Sequence, residues 1–171
     1  MEFAELIRKR RSIRSYQKRE SPDEILMRIL DSARLAPSAK NLQPWKFVIV
    51  KDENRKLEIA RLCKERLWIA DASVIIAGVA INPDYRMGCG EPSSQIDISI
   101  AFTHMILAAA NEGFGSCWLG TFKIPEVKNI LGIPERFPLV SLLAIGYPAE
   151  NPPPKDRKDI NEIFCIEKWS E

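Results

Sequence analysis

The chain has 171 residues, 46% of them apolar and 28% charged, the balance of one soluble globular domain and not of a disordered or fibrous chain. Its 25 basic and 23 acidic side chains leave a formal charge of +2, which argues against a protein that lives on nucleic acid. No apolar run reaches the roughly 20 residues that cross a bilayer, no secretion signal opens the chain, and a single histidine with four scattered cysteines offers neither a zinc set nor a disulfide framework.

Residues 3 to 11 read as a short helix with Phe3, Leu6 and Ile7 on one face. The segment SPDEILMRILDSARLAP predicts the next helix: Ser21 as N-cap, Pro22 in the first turn, and Glu24 three residues after the cap. Ile25, Ile29, Leu30 and Ala33 then form one stripe, and Pro37 ends it. KFVIV, residues 46–50, is a buried strand by its β-branched and aromatic content. A helix over about 53–67 and a second buried strand, SVIIAGVAI, follow.

Residues 82–95, NPDYRMGCGEPSSQ, are rich in turn formers and predict a flap. From 94 to about 112 the pattern is helical with apolar residues on nearly every side, so this helix is central or lies in a subunit interface. His104, inside it, is expected to be a helix histidine held by a neighbour, which disfavours a hydrolytic mechanism. SCWLGTF is a short strand or turn, IPEVKNILG a short helix, and PLVSLLAIGY a further buried strand. The tail opens Pro-rich, then regains an apolar pattern at Ile160, Ile163, Phe164 and Ile166, as expected of a segment that docks. No repeat or linker divides residues 1–171, which read as one α+β domain.

Nucleotide motifs fail: Gly113, Gly115 and Gly120 in GFGSCWLGT match neither GxGxxG nor a P-loop, which would need Lys before Thr121. Two basic clusters remain, Arg10, Arg11 and Arg14 with Ser12 near one end, and Lys155, Arg157 and Lys158 near the other. Arginine forks suit phosphate oxygens, and a serine hydroxyl adds a short donor. From the residues alone, one compact phosphate pocket, a nucleic-acid patch and two solvated surface clusters all stay open.

RRSIRSY, APSAKNLQPWKFVIV, GFGSCWLGTF, GYP and PPPKDRK occur here in an order and spacing that resembles the nitroreductase family of FMN-dependent oxidoreductases, over residues 8 to about 160. The resemblance implies an α/β/α sandwich with a central mixed sheet flanked by helices and, for a chain already expected to be cytoplasmic from its lack of a signal or spanning segment, a homodimer whose extended tail docks on the partner. It implies FMN as cofactor, NADH or NADPH as donor, and a small acceptor such as a nitroaromatic or a quinone; no metal, membrane or nucleic acid is expected. It implies that Arg10 and Ser12, with Lys155 and Arg157, hold the FMN phosphate, and that Arg11 belongs to the same cofactor-binding set. Arg14 would reach the N1/O2 edge of the flavin, and Leu119 and Gly120 would run past N5. Pro37, Ser38 and Asn41 match a segment laid against the partner's cofactor. No catalytic residue is expected beyond the flavin, which Arg14 and Gly120 tune or orient. Glu65 and Trp68 stand where better-known members carry an amide and a lysine, and the flap is short. Specialised flavin chemistry (dehalogenation, flavin breakdown) or a flavin-binding module with little turnover are the alternatives. Cys89 and Cys117 are further redox candidates, with core packing the favoured reading for Cys117 and Cys89 left open.

Overall fold

The computed structural model describes residues 2–170. Five helices, α1 (Phe3–Lys9), α2 (Asp23–Arg34), α3 (Glu53–Leu62), α4 (Ser94–Asn111) and α5 (Ile124–Leu131), surround four strands, β1 (Trp45–Val50), β2 (Val74–Ala80), β3 (Gly115–Leu119) and β4 (Leu139–Gly146). The strands lie in the order β1-β2-β4-β3 and pair antiparallel throughout. The parallel component expected of a mixed sheet is confined to a bridge from Ser12 to Ser116 on the free side of β3.

β2 and β4 are interior, and β2 is buried along its whole length. That explains why its sequence is continuously apolar and does not alternate. Its side chains still divide by parity. Ile75, Ala77 and Val79 enter a core shared with Ile59, Ala60 and Cys63 of the α3 segment and Val127 of α5. Val74 and Ile76 face a second core containing Leu26, Ile29 and Ala33 of α2 and Ala101, Phe102 and Met105 of α4. The result is the expected α+β sandwich, helices on both faces of one sheet.

Three local expectations change. The Ser21 cap does not form: Pro22 occupies the N-cap position with extended backbone (ψ 136°), α2 starts at Asp23, and no side chain caps it. The Ser21 hydroxyl is buried without a partner instead. The helix expected to reach residue 67 stops at Leu62, because Lys64 and Glu65 turn left-handed at φ 59° and 54°. A short 3-10 turn over Leu67–Asp71 then leads into β2. The flap is an ordered hairpin, with Arg86 bridged to Pro92 and the Met87 N–H donating to Glu91 O at 2.9 Å.

α4 buries Ile98, Ala101, Phe102, Met105 and Ala109, yet leaves Ile96 46% exposed beside Ser99, Ile100 and Thr103 on an open face. His104 Nδ1 lies 3.1 Å from Ser32 O of α2, the neighbour-held role expected of it. In the tail Ile160, Ile163, Phe164, Ile166 and Trp169 are all exposed within the single chain. No helix among the described residues is long and apolar enough to cross a membrane.

Candidate functional site

The backbone leaves α1 at Arg10, whose ψ of 131° is extended. Residues 12–17 then run alongside the sheet: the Ile13 N–H donates to Ser116 O at 2.9 Å and the Gln17 N–H to Tyr147 O at 2.9 Å. An extended run sends alternate side chains to opposite sides. Ile13 goes into the core, and Gly115 lies beneath it: a Cβ there would stand 2.7 Å from Ile13 Cγ1, so only glycine allows the approach. Arg10, Ser12 and Arg14, two residues apart, share the other side.

The chain after β4 returns to the same place. The Ala149 N–H donates to Ser15 O at 2.9 Å, Tyr16 bridges Pro148, and the Arg14 N–H donates to the Glu150 carboxylate. The polyproline stretch 152–154 then carries Lys155 and Arg157 past α1. One cavity of about 540 Å³ results, lined by Arg10, Arg11, Ser12 and Arg14 from the first segment and Lys155 and Arg157 from the second. Its size is in the range of ordinary small-molecule sites, about 300–1,000 Å³. Lys158 is exposed and does not line it.

The cations of this cavity differ in how they are occupied. Arg11 turns back on α1: its Nη1 donates to Arg8 O at 2.6 Å and Arg10 O at 2.9 Å, capping the helix end, while its Nε is buried without a partner. None of the ion pairs among the described residues involves Arg10, Arg11, Arg14, Lys155 or Arg157. Converging cations without counter-charges repel one another, and a dianion relieves that repulsion. The residues therefore fit the phosphate of a flavin mononucleotide, with the Arg10 and Arg157 guanidinium groups, the Lys155 ammonium and the Ser12 hydroxyl as donors.

The ring end of such a ligand would lie toward β3. Leu119 is buried and its carbonyl accepts from the Ser141 hydroxyl at 2.9 Å. At Gly120 the backbone turns into the open: a Cβ there would meet nothing within 4 Å. Cys117, behind this edge, is buried, and burial pushes its thiol up, although Arg14 and Arg66 pull it partly back. Trp118 meets Phe102 edge-on at 5.1 Å and Trp45 stacks on Phe47 at 6.3 Å, packing contacts for both. Trp68 packs near Tyr16, ring centroids 6.1 Å apart, and joins the core edge, while Glu65 is exposed. Cys89 is exposed in the flap.

Pro37, Ser38 and Asn41 do not reach this cavity within one chain. They form a separate tight turn: the Ser38 hydroxyl accepts from Gln43 N–H at 2.9 Å, and the Ala39 N–H donates to Asp97 Oδ1 at 3.0 Å. Two residues escaped the sequence reading, Glu150, which ties the tail to Arg14, and Asp97, which anchors the turn. Glu150 follows GYP by two positions, and Asp97 is a lone acid in an apolar helix; either irregularity was a usable signal.

This sandwich, with a basic cavity where the chain's two ends meet beside β3, is the architecture of a flavin-type oxidoreductase fold. The chain belongs to the nitroreductase family, whose model matches residues 7–75 and 68–147. A protein of Methanothermobacter thermautotrophicus named as an NADH dehydrogenase/NAD(P)H nitroreductase is 34% identical over 99% of this chain and 88% of its own length. The crystal structure of a nitroreductase family protein from Clostridium novyi NT superposes with a TM-score of 0.81, at 35% identity, covering 86% of this chain and 87% of that one. An iodotyrosine deiodinase of Thermotoga neapolitana is 28% identical over 94% of each chain.

Proposed function

We propose that this protein is an FMN-dependent oxidoreductase that moves two electrons from NADH or NADPH to a small acceptor such as a nitroaromatic or a quinone. The observation that carries the reading is the convergence of cations without ion-pair partners among the described residues, from both ends of the chain, on one cavity beside the edge strand β3. FMN, when bound, supplies the hydride exchange, so donor and acceptor use one cleft in turn and no protein nucleophile is needed.

The protein's own part is positional. Arg10, Ser12, Lys155 and Arg157 bind the phosphate, with Arg11 shaping that wall from the end of α1. Arg14 carries its charge to the pyrimidine edge, where a cation favours the reduced, anionic ring. Its backbone N–H donates to the Glu150 carboxylate, which ties this segment to the returning tail. Leu119 and Gly120 would line the ring edge of a bound flavin, where a Cβ at Gly120 would meet nothing within 4 Å. Pro37, Ser38 and Asn41 serve the cofactor of a second subunit, a homodimer supported by the exposed face of α4 and the exposed apolar tail.

The test is the visible spectrum of the purified protein at its native mass, before and after anaerobic addition of NADH and NADPH. A flavin spectrum that bleaches is expected. A flavin spectrum that neither nucleotide bleaches would make the protein a binding module, and a colourless protein that refuses added FMN would overturn the reading. The likeness to the Thermotoga deiodinase favours a second reading, reductive dehalogenation on the same site. Steady quinone turnover with either nucleotide would argue against it.

A further inference from the structure

We infer that Lys40, seated against Tyr85 of the flap, is a specificity residue that favours aromatic acceptors bearing an anionic group. This inference rests on the reading above, in which the turn around Ser38 and Asn41 faces the flavin of the partner subunit.

The turn is held in a conformation that side chains resist. Lys40, Asn41 and Gln43 all have positive φ, at 50°, 56° and 48°, and none is glycine. Backbone of this kind persists only where surrounding contacts over-determine it, and such places cluster at ligand sites. Here the contacts are explicit. Asp97, 3% exposed, accepts from the Ala39 N–H at 3.0 Å, the Asn41 N–H donates to Ser38 O at 2.9 Å, and the Ser38 hydroxyl accepts from Gln43 N–H at 2.9 Å. The Gln43 side chain donates back to Asn41 O at 3.3 Å. The Lys40 stem therefore leaves a fixed base.

The flap meets it from the other side. Its hairpin is closed by the Gly90 N–H on Met87 O at 2.8 Å and by Arg86 Nη1 on Gly90 O at 2.9 Å, and it is rooted at the start of α4. Lys40 Nζ lies 5.8 Å from the centroid of the Tyr85 ring, within the reach of a cation–π contact. The flap carries Asp84 and Glu91 as well as Arg86, yet neither acid forms an ion pair with Lys40 among the described residues. The ammonium thus has no ion-pair partner among the described residues and lies beside an aromatic face. An aromatic ring stacked in the cleft can lie along Tyr85 while its anionic substituent meets Nζ. A lysine is a compact point charge on a flexible stem, so it selects for charge and not for one substituent geometry.

The experiment uses FMN-loaded enzyme with NADH and compares 4-nitrobenzoate with 4-nitrotoluene as acceptors. The readout is the ratio of their kcat/KM values in the natural protein, in Lys40→Met and in Lys40→Arg. Lys40→Met is expected to lower the ratio about fivefold, through KM, the scale of one partly exposed charge pair. Lys40→Arg is expected to keep the ratio, and added salt to erode it in the natural protein but not in Lys40→Met. An unchanged ratio in Lys40→Met overturns the inference. So does an effect confined to the preference for NADPH over NADH, which would assign the charge to the donor's 2′-phosphate. Failure to load FMN at all would overturn the proposed function instead, so the two failures are distinct.

Discussion

Two cavities of nearly equal volume, about 500 and 540 Å³, are each lined by several basic side chains, and they are chemically opposite. The first, at the start of α2, gathers Lys18, Arg19, Lys51 and Lys56, but also Glu20, Asp23, Glu53 and Asp71. Lys51 pairs with Asp23, Lys56 with Glu53 at 2.9 Å and Lys18 with Asp71 at 3.5 Å, while Arg19 lies over the Tyr147 ring at 4.2 Å. The second gathers Arg10, Arg14, Lys155 and Arg157 with no acid among its described lining. Counting cations does not separate the two; asking what neutralises them does. Three of the four cations in the first have an acid against them, and the cations of the second have none among the described lining.

That contrast is sharpest in binding. Arg10→Ala combined with Arg157→Ala is expected to weaken FMN binding at least about 100-fold, since each charge-assisted contact contributes about 1.5–3 kcal/mol. Lys18→Ala combined with Lys51→Ala is expected to leave it unchanged, and to alter stability by no more than about 1 kcal/mol, as exposed ion pairs do. Fluorescence titration of FMN and denaturant unfolding check both. A flavin affinity that responds equally to the two double variants would erase the distinction.

A smaller effect separates the two ends of the basic cavity. Arg14→Gln is expected to retain FMN but lower its midpoint potential by about 30 mV, equivalent to ~1.4 kcal/mol for a two-electron couple. Reductive titration against a reference dye measures it, and an unchanged potential with FMN bound would remove Arg14 from the flavin edge.

The smallest effect concerns the core behind the site. Burial pushes the Cys63 thiol up to about 11, and burial raises Cys117 and Tyr16 in the same direction. An unfolded thiol releases its proton near about 8.5. Between those values the folded state holds protons that the unfolded state has lost, so stability falls as pH rises through that window. The melting temperature should decline from about pH 9 to pH 11, and Cys63→Ala should flatten the decline. A flat profile in the natural protein would contradict the burial of these thiols.

The sequence made the sandwich legible where patterns were long. Continuous apolar runs marked β2 and β4 as interior strands, and the all-round apolar pattern of α4 marked a helix with two burdens, core and exposed face. It misled where a single backbone angle decided the outcome. Pro22 took the extended N-cap position and stranded Ser21, and Lys64 and Glu65 adopted left-handed backbone that no glycine announced. The basic clusters were legible as residues, and their meeting was implied by the family resemblance but not by any local pattern. That depends on the Tyr16–Pro148 bridge and the Arg14–Glu150 hydrogen bond, contacts across more than a hundred residues that no local period encodes. Lys40 and Tyr85 were invisible for the same reason.

The most direct test of the phosphate pocket compares FMN with riboflavin, which carries the same ring and lacks the phosphate, by titrating each into the flavin-free protein. FMN is expected to bind at least about 100-fold more tightly, with the difference shrinking as salt is added. Equal affinities for the two would contradict a phosphate site at Arg10, Ser12, Lys155 and Arg157.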